Sequence, residues 1–372
     1  MKRFLTIVLL LAMITTTACS ANSNIDDKAT TATEATKSVA VADDVKDKEA
    51  IKNDIEACLK EYDFQGIVFL TKNGEVLYQS ATGVSEAKEP LAIDSLMPVG
   101  SVSKQFCATA ILMLREQGKL SVDDALGKYF PEYEIGKDVT LKDLLNMKSG
   151  IRDMVNEGWV EEISTDNSEE ANTEVIKRWI FNQELAFDPG STMSYSNSNY
   201  FLLSNIVEQV SGQKYVDFLR ENIFKPLGMN NTGSIEEVSD SPDWAKGVTF
   251  DSVEDGKMRG LTKGSGDIVT TAYDMDLWLT GLRGGKLISS ESYKEMTTNY
   301  TDQLSNHYGY GIRPGMFGGV WHPGGIGMYF AMDYTNAEQG YNLFVASNHN
   351  ISSAKIETLP MDLLKACLGK NI

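Results

Sequence analysis

The strand signals of this chain lie near its two ends, and a long helical block separates them. Near the N-terminus, the β-rich runs Gly66–Thr71 and Glu75–Gln79 are joined through Asn73-Gly74, which suits a two-residue hairpin turn. Three more runs with strand character follow near the C-terminus, at Gly319–His322, Met328–Met332 and Tyr341–Ser347. We therefore predict an α+β fold: an antiparallel sheet built from both chain ends and flanked by helices, with a mostly helical subdomain inserted at about residues 116–290.

Helices are predicted near both ends of the chain and within the central block. Apolar residues at helical spacing predict an amphipathic helix over roughly Asp44–Tyr62 and a last helix near Ser353–Leu368, bent or restarted at Pro360. Residues with capping chemistry indicate further helix ends inside the block, namely Ser121 with Asp124, Thr140 with Asp143, Gly118 and Gly212.

The N-terminal residues have the pattern of an export signal. Lys2-Arg3 precede the apolar run Phe4–Ile14, and small residues lead up to Cys19. The pattern resembles the lipobox of bacterial lipoproteins, in which the signal is removed and the cysteine is acylated, although Thr16 stands where Leu is usual. The resemblance implies a signal peptide at residues 1–18, lipidation of Cys19 and a location on the extracytoplasmic face of a bacterial cell membrane. An ordinary secretory signal with an incidental cysteine is the alternative.

The segment after Cys19 is predicted to be a tether. It is rich in Ala, Thr, Ser, Asp and Lys and has almost no large apolar side chain, so it cannot offset the entropy of ordering. We expect residues 19–46 to be flexible and residues 47–372 to form one folded domain. No later stretch is apolar for long enough to span a membrane.

Composition argues against several classes of partner and cofactor. The chain has 34 basic and 52 acidic residues and a net charge of −18, so its surface would repel a nucleic-acid backbone. Its three histidines, His307, His322 and His349, form no zinc-binding pattern, and the chain has no glycine-rich phosphate loop. We therefore expect no metal, no cofactor and no nucleic acid, whereas the oligomeric state is not predicted.

The first candidate for chemistry is the segment that runs from Gly100 through Ser101 to Lys104. Three residues of α-helix turn through about 300°, so Ser101 and Lys104 would stand on the same face. A serine hydroxyl is a weak nucleophile unless a base takes its proton, and a desolvated lysine can be that base. The following turns are nearly all apolar, which predicts a buried helix and a lysine that needs a partner. A helix N-cap followed by a solvated lysine is the alternative.

Two further segments carry residues suited to the same chemistry. Tyr195-Ser196-Asn197 lies in a predicted loop ahead of a helix, where a tyrosine becomes a useful base only if neighbouring cations stabilise its phenolate. Trp321-His322-Pro323-Gly324-Gly325 lies at the edge of a predicted strand, where glycine N–H groups can face an oxyanion. Each segment by itself is more often structural than catalytic.

Taken together and in this order, Ser101-x-x-Lys104, Tyr195-x-Asn197 and His322-x-Gly324 resemble the three active-site motifs of the penicillin-recognising serine hydrolases. That family includes class C β-lactamases, D-alanyl-D-alanine carboxypeptidases and related esterases, and the resemblance implies the β-lactamase/transpeptidase-like fold. It covers the chain from about residue 46 onward. Further segments typical of the family are Asp143–Ile151, Phe187–Gly190, Ile223–Met229, Gly264–Thr271 and Tyr308–Ile312.

The resemblance implies a role for each matching residue. Ser101 would attack a carbonyl and form an acyl-enzyme, with Lys104 helping to remove its proton. Tyr195 would be the general base for acylation and would protonate the leaving group, while Asn197 would hydrogen-bond Lys104 and the substrate amide. The backbone N–H groups of Ser101 and Gly325 would form the oxyanion hole.

The third motif departs from the β-lactamase pattern, because His322-Pro323-Gly324 stands where Lys-Thr-Gly is usual. The resemblance implies a catalytic role for His322 and substrate binding at Gly324. A histidine with its usual pKa of about 6.5 is mostly neutral at pH 7 unless a carboxylate holds its proton, so we expect a pH-dependent role for His322. Pro323 removes a hydroxyl that family members often use to bind a substrate carboxylate, which keeps esterase activity open.

These observations predict an exported serine hydrolase similar to the D-alanyl-D-alanine carboxypeptidases of cell-wall metabolism. Its substrate would be a peptide, a β-lactam or an ester. An esterase or a β-lactamase of the same family is one alternative, and a penicillin-binding sensor that is acylated without turnover is another. An α/β-hydrolase is disfavoured, because no Gly-x-Ser-x-Gly elbow occurs.

Overall fold

In a computed structural model, the described residues are 48–85, 87–155, 168–238, 260–301, 307–349 and 353–369. The predicted signal peptide, the lipidation of Cys19 and the tether lie outside these ranges, so they stay predictions. No helix among the described residues combines the length and the apolar character needed to cross a membrane.

The main sheet is antiparallel and draws its strands from both ends of the chain, as predicted. Its strands are β1 (Gly66–Lys72), β2 (Glu75–Thr82), β6 (Arg313–Met316), β7 (Gly319–Ile326), β8 (Tyr329–Asn336) and β9 (Tyr341–Ser347). Their order in the sheet is β2-β1-β9-β8-β7-β6, so the first hairpin pairs with the last strand. Met97–Pro98 (β3), Gly233–Ser234 (β4) and Ile268–Thr270 (β5) form a smaller sheet in the order β3-β5-β4, which was not predicted.

The turn between β1 and β2 has the conformation that its sequence predicts. Asn73 has a φ of 50° and Gly74 a φ of 83°. A type I′ turn requires positive φ at both central residues, and Asn-Gly adopts this conformation readily. Lys72 pairs with Glu75 across the turn, which sets the register beside it.

Helices cover both faces of the main sheet. They are α1 (Lys48–Glu61), α2 (Ser103–Glu116), α3 (Leu141–Leu145), α4 (Glu169–Phe181), α5 (Asn197–Ser211), α6 (Tyr215–Leu219), α7 (Lys225–Leu227), α8 (Ile235–Val238), α9 (Ala272–Arg283), α10 (Ser290–Met296) and α11 (Ser353–Leu368). In β1, Val68 and Leu70 pack in the apolar cluster that contains α1 and α11, whereas Ile67 and Phe69 pack in the larger cluster that contains α2 and α9. Such alternation is expected of a strand buried on both sides.

Helix ends follow the predicted capping residues at three of four places. Thr140 and Asp143 form a reciprocal capping box at the start of α3. Gly118 and Gly212 follow the ends of α2 and α5 with φ angles of 70° and 73°, the left-handed conformation that favours glycine after a helix.

One helix prediction was wrong. The Ser121 N–H donates to Asp124 Oδ2 at 2.9 Å, but this bond closes a turn, because the Asp124 carbonyl accepts a long-range hydrogen bond from the Leu141 N–H instead of starting a helix. The predicted last helix is present as α11, which continues through Pro360 without a restart, and a bend there stays a prediction. The burial of Leu359 and Leu363 against the sheet offsets the backbone hydrogen bond that proline cannot donate.

Candidate active site

The turn that carries Ser101 lies directly against strand β7. Residues Gly100–Val102 form a 3-10 turn ahead of α2, and Gly100 has a φ of +50°. A Cβ on Gly100 would lie 2.8 Å from the backbone N of Gly325, and a Cβ on Gly324 would lie 1.9 Å from the Val99 carbonyl oxygen. Both glycines are therefore required for the close approach that brings β7 beside Ser101.

Lys104 is buried in the first turn of α2, and its ammonium group is the centre of the site. The Nζ atom donates to Ser101 Oγ at 3.1 Å, to Asn197 Oδ1 at 2.8 Å and to the Ser265 carbonyl oxygen at 2.6 Å. Burial lowers the pKa of Lys104 to about 7, against the opposing effect of Asp153. The predictions that Lys104 is buried and stands beside Ser101 are confirmed.

Asp153 holds Asn197 in place, and sequence analysis did not single it out. Asn197 begins α5, and its backbone N–H donates to Asp153 Oδ1 at 3.1 Å. Its side-chain Nδ2 lies 3.2 Å from each carboxylate oxygen of Asp153. The one available signal was position, because Asp153 closely follows the family-like segment that ends at Ile151.

Tyr195 lies beside Lys104, and its hydroxyl is buried. The Lys104 Nζ lies 4.8 Å from the centre of the Tyr195 ring. Burial raises the pKa of Tyr195 and outweighs the opposite effects of the Ser101 hydroxyl and the Arg313 charge. Tyr195 is therefore a neutral phenol near pH 7, which favours Lys104 as the base and Tyr195 as a proton donor. The resemblance also gives Tyr195 the protonation of the leaving group, and differs only in making Tyr195 the general base for acylation.

His322 is a buried, neutral ring at the edge of the site. Its Nδ1 donates to the Pro323 carbonyl oxygen at 2.6 Å, and its Nε2 accepts from the Tyr308 hydroxyl at 3.1 Å. Burial lowers the pKa of His322 well below its usual value, and the charges of Arg313 and Lys104 act in the same direction. The centre of its ring lies 6.3 Å from the centre of the Tyr195 ring, so His322 is a polar side chain that lines the edge of the site. The pH-dependent role expected for His322 stays a prediction, and the lowered pKa moves any such dependence below the usual range of histidine.

Arg313 is a positively charged side chain near the third motif, in which His322 is neutral. It stands on β6 opposite Trp321 of β7, and its guanidinium carbon lies 5.8 Å from the centre of the Tyr308 ring. Its charge lowers the pKa values of Lys104, Tyr195 and His322. The sequence offered no signal for this residue.

Asp333 lies behind β7 and joins this strand to α2. Its Oδ1 accepts from the His322 backbone N–H at 2.8 Å, and its Oδ2 accepts from Gln105 Nε2 at 2.7 Å. Burial raises the pKa of Asp333 to about 7. Because Gln105 is the neighbour of Lys104, this bridge holds the lysine helix in register with the strand that carries Gly325.

The predicted site residues from all three motifs therefore come together around Ser101. Ser101 is half-buried and Gly325 is exposed, so a carbonyl group can reach both. The first N–H groups of a helical turn have no partner within it, which suits the N–H of Ser101 for binding an oxyanion. In the part of the chain that the structure describes, no group of His, Cys, Asp or Glu side chains is arranged to hold a metal ion.

Comparison with known proteins identifies related sequences. A family model described as Beta-lactamase matches residues 51–363. The protein PbpX of Bacillus subtilis is 33% identical over 267 residues, which are 70% of this chain and 65% of that protein. A D-aminopeptidase of Brucella anthropi is 29% identical over 258 residues, which are 66% of this chain and 48% of that protein. The chain thus spans less than two thirds of the length of either relative.

Solved structures share the architecture. The octameric penicillin-binding protein homologue from Pyrococcus abyssi superposes with a TM-score of 0.72 and 27% identity, over 87% of this chain and 77% of that one. The fold is therefore the β-lactamase/transpeptidase fold, as the motifs implied.

Proposed function

Because this chain belongs to the beta-lactamase family and is a serine hydrolase, we propose that it is a D-alanyl-D-alanine carboxypeptidase-like enzyme that acts through an acyl-enzyme on Ser101. The observation that carries this proposal is the 3.1 Å hydrogen bond between the buried Lys104 Nζ and Ser101 Oγ. The similarity to a penicillin-binding protein homologue and to a D-aminopeptidase supports a substrate with an amide bond beside a D-amino acid.

The neighbours of Lys104 favour transfer of the Ser101 proton. A neutral lysine amine has two N–H donors and one lone pair. Asn197 Oδ1 and the Ser265 carbonyl oxygen can only accept, so they take the two N–H groups. The lone pair is then left for the Ser101 hydroxyl, so the hydrogen bond that the ammonium form donates to Ser101 Oγ is reversed when Lys104 is neutral.

The reaction follows from this arrangement. Ser101 Oγ forms a bond to the substrate carbonyl carbon while its proton passes to Lys104 Nζ. The N–H groups of Ser101 and Gly325 meet the negative charge on the carbonyl oxygen, and each such donor typically lowers the barrier by about 3 to 4 kcal/mol. Tyr195 gives its proton to the leaving nitrogen as the C–N bond breaks, and it recovers a proton from Lys104. Water then hydrolyses the ester on Ser101.

Arg313 favours a substrate with a terminal carboxylate. Pro323 lacks a side-chain hydroxyl and His322 is neutral, so neither binds a carboxylate as a cationic third motif would. Arg313 is half-buried beside the same strand, and a guanidinium group matches the two oxygens of a carboxylate.

A substrate panel tests this proposal. It comprises a peptide ending in D-Ala-D-Ala, the same peptide with a C-terminal amide, a D-amino-acid amide, a chromogenic cephalosporin and a nitrophenyl ester. We expect kcat/KM to be highest for the free acid, by about ten- to hundredfold over the blocked peptide, since a hydrogen bond to a charged group contributes about 1.5 to 3 kcal/mol. Arg313→Gln should remove most of this preference, whereas Arg283→Gln, which changes an arginine of α9, should keep it.

Other outcomes of the panel would overturn the carboxypeptidase assignment. Hydrolysis of the nitrophenyl ester alone identifies an esterase, and preferred hydrolysis of the cephalosporin identifies a β-lactamase. Cleavage of the D-amino-acid amide with no activity on the free acid identifies an aminopeptidase or amidase. Acylation that stops at one equivalent per protein identifies a penicillin-binding sensor.

We further propose that the protein is exported and held at the extracytoplasmic face of the membrane through a lipidated Cys19. The charged, apolar and small-residue order of residues 1–18 supports this location. Metabolic labelling with an alkyne-tagged fatty acid should mark the wild type and leave Cys19→Ala unmarked. Equal labelling of both proteins, or of neither, would contradict the lipid anchor.

A further inference from the structure

Asp153 is a buried carboxylate that no step of the proposed reaction uses directly. It lies in the loop after α3, and both of its oxygens face the first residue of α5. Its Oδ1 accepts from the backbone N–H of Asn197 at 3.1 Å and from that of Val155 at 3.2 Å. The residue before α5, Ser196, makes no side-chain capping bond, so Asp153 caps this helix from a distant part of the chain.

The carboxylate also determines which way the Asn197 amide points. An ionised carboxylate is an acceptor only, so it must face the NH2 group of Asn197. The amide oxygen is then directed to the opposite side, where it accepts from Lys104 Nζ at 2.8 Å. In the flipped orientation, an NH2 group would face the ammonium of Lys104, and the carboxylate would face the amide oxygen.

The charge of Asp153 reaches Lys104 as well. Among the groups that act on Lys104, Asp153 raises its pKa most strongly, with smaller contributions of the same sign from Cys107 and Asp267 and an opposite one from Arg313. The negative charge of Asp153 stabilises the ammonium that forms when Lys104 takes a proton.

We propose that Asp153 is a positioning residue for acylation: its carboxylate holds Asn197 in the one orientation that presents Oδ1 to Lys104, and its charge stabilises the ammonium form of Lys104. This inference rests on the proposed function of Ser101 and Lys104. Asp153 is a positioning residue because its hydrogen bonds to the site are those to Asn197, which in turn contacts Lys104.

The test measures how fast Ser101 reacts with a fluorescent fluorophosphonate, a probe of serine nucleophilicity that does not depend on the natural substrate. Second-order rate constants are determined from pH 5 to 9 for the wild type, Asp153→Asn and Asp153→Ala. In Asp153→Asn an oxygen acceptor remains but the charge is lost, so the midpoint of the rise in rate should move to lower pH by about one unit. In Asp153→Ala the orientation of Asn197 is no longer held, and the rate should fall at least about tenfold at every pH.

Asp274→Asn is the matched control. Asp274 is a buried carboxylate in the first turn of α9 that accepts from the Asn231 N–H at 2.7 Å and from Thr232 Oγ1 at 2.8 Å. This variant should have a lower melting temperature and an unchanged pH midpoint of the labelling rate. A carboxylate that only stabilises the fold does not change the pH dependence of the reaction at Ser101.

The possible outcomes separate this inference from the proposed function. An unchanged midpoint in folded Asp153→Asn, or a wild-type rate in Asp153→Ala, would overturn the role of Asp153 while leaving Ser101 as nucleophile. If Asp153→Ala does not fold, the midpoint of Asp153→Asn decides. If the wild type itself is not labelled on Ser101, the proposed function fails, and the role of Asp153 fails with it.

Discussion

Ser101→Ala should abolish hydrolysis of every substrate in the panel, with a loss in rate on the order of 10⁶-fold, as is typical when an activated serine nucleophile is removed. The melting temperature should stay within about 2 °C of the wild type, since the hydroxyl is half-buried and its hydrogen-bond partner is Lys104. Lys104 keeps two acceptors, Asn197 Oδ1 and the Ser265 carbonyl. Initial rates and thermal melts measured on the same samples check both expectations.

Ser103→Ala is the control for this variant, because it removes a hydroxyl two residues further along the chain. Ser103 Oγ is buried and accepts from the Ile268 N–H at 3.0 Å. Leaving that N–H unpaired should lower stability by about 1 to 3 kcal/mol while acylation persists. Ser103→Ala should therefore lose stability and keep its activity, whereas Ser101→Ala should lose its activity and keep its stability. Near-normal activity in Ser101→Ala would refute the assignment of the nucleophile.

Lys104→Met should reduce the rate of acylation by about 10³-fold or more, since it removes the base and keeps a side chain of similar length. For the wild type, the rate should rise with pH through a midpoint near 7, because burial lowers the pKa of Lys104 to about 7 and only the neutral amine can accept the Ser101 proton. The variant should lose this rise. Stopped-flow acylation with a fluorescent penicillin across the pH range measures both effects.

Lys263→Met provides a matched control, because Lys263 is also a buried lysine. Its Nζ pairs with Glu208 at 2.9 Å and with Glu169 at 3.2 Å, and not with Ser101. This variant should be less stable, since two carboxylates lose their partner, yet it should keep the pH-dependent rise. A Lys104→Met variant that retains the rise would show that another group takes the proton.

The contact between Ser101 and Lys104 could be predicted from the sequence because its geometry is local. Ser101 and Lys104 are three residues apart in a helical start, so the pitch of the helix alone brings their side chains together. The hairpin at Asn73-Gly74 is local in the same sense. Tyr195, Asn197 and His322 had individually weak signals, and only their order along the chain and the resemblance to a family connected them to Ser101.

The residues that sequence analysis missed act across long separations. Asp153 and Asn197 are 44 residues apart, and no pattern in the chain links them. Arg313 belongs to a short strand that contains Pro314 and Gly315, which obscures the alternation typical of a strand. Nothing in the sequence therefore marked a cation beside the third motif.

The charge states of His322 and Tyr195 could not be predicted from the sequence either, because they depend on burial. Sequence patterns indicate which residue types are present, but the neutral ring of His322 follows from two hydrogen bonds and a buried position. The same holds for Tyr195, whose buried hydroxyl stays protonated. Desolvation is a property of the packed fold, so the sequence could not indicate that it favours Lys104 over Tyr195 as the base.

Peptide mass spectrometry after reaction with a fluorescent penicillin is the most direct test of an acyl-enzyme mechanism in this site. The account predicts one adduct per chain, on the peptide that contains Ser101, with a rate of formation that rises with pH through about 7. An adduct on a different side chain, or complete absence of an adduct in a protein that is folded by circular dichroism, would contradict it.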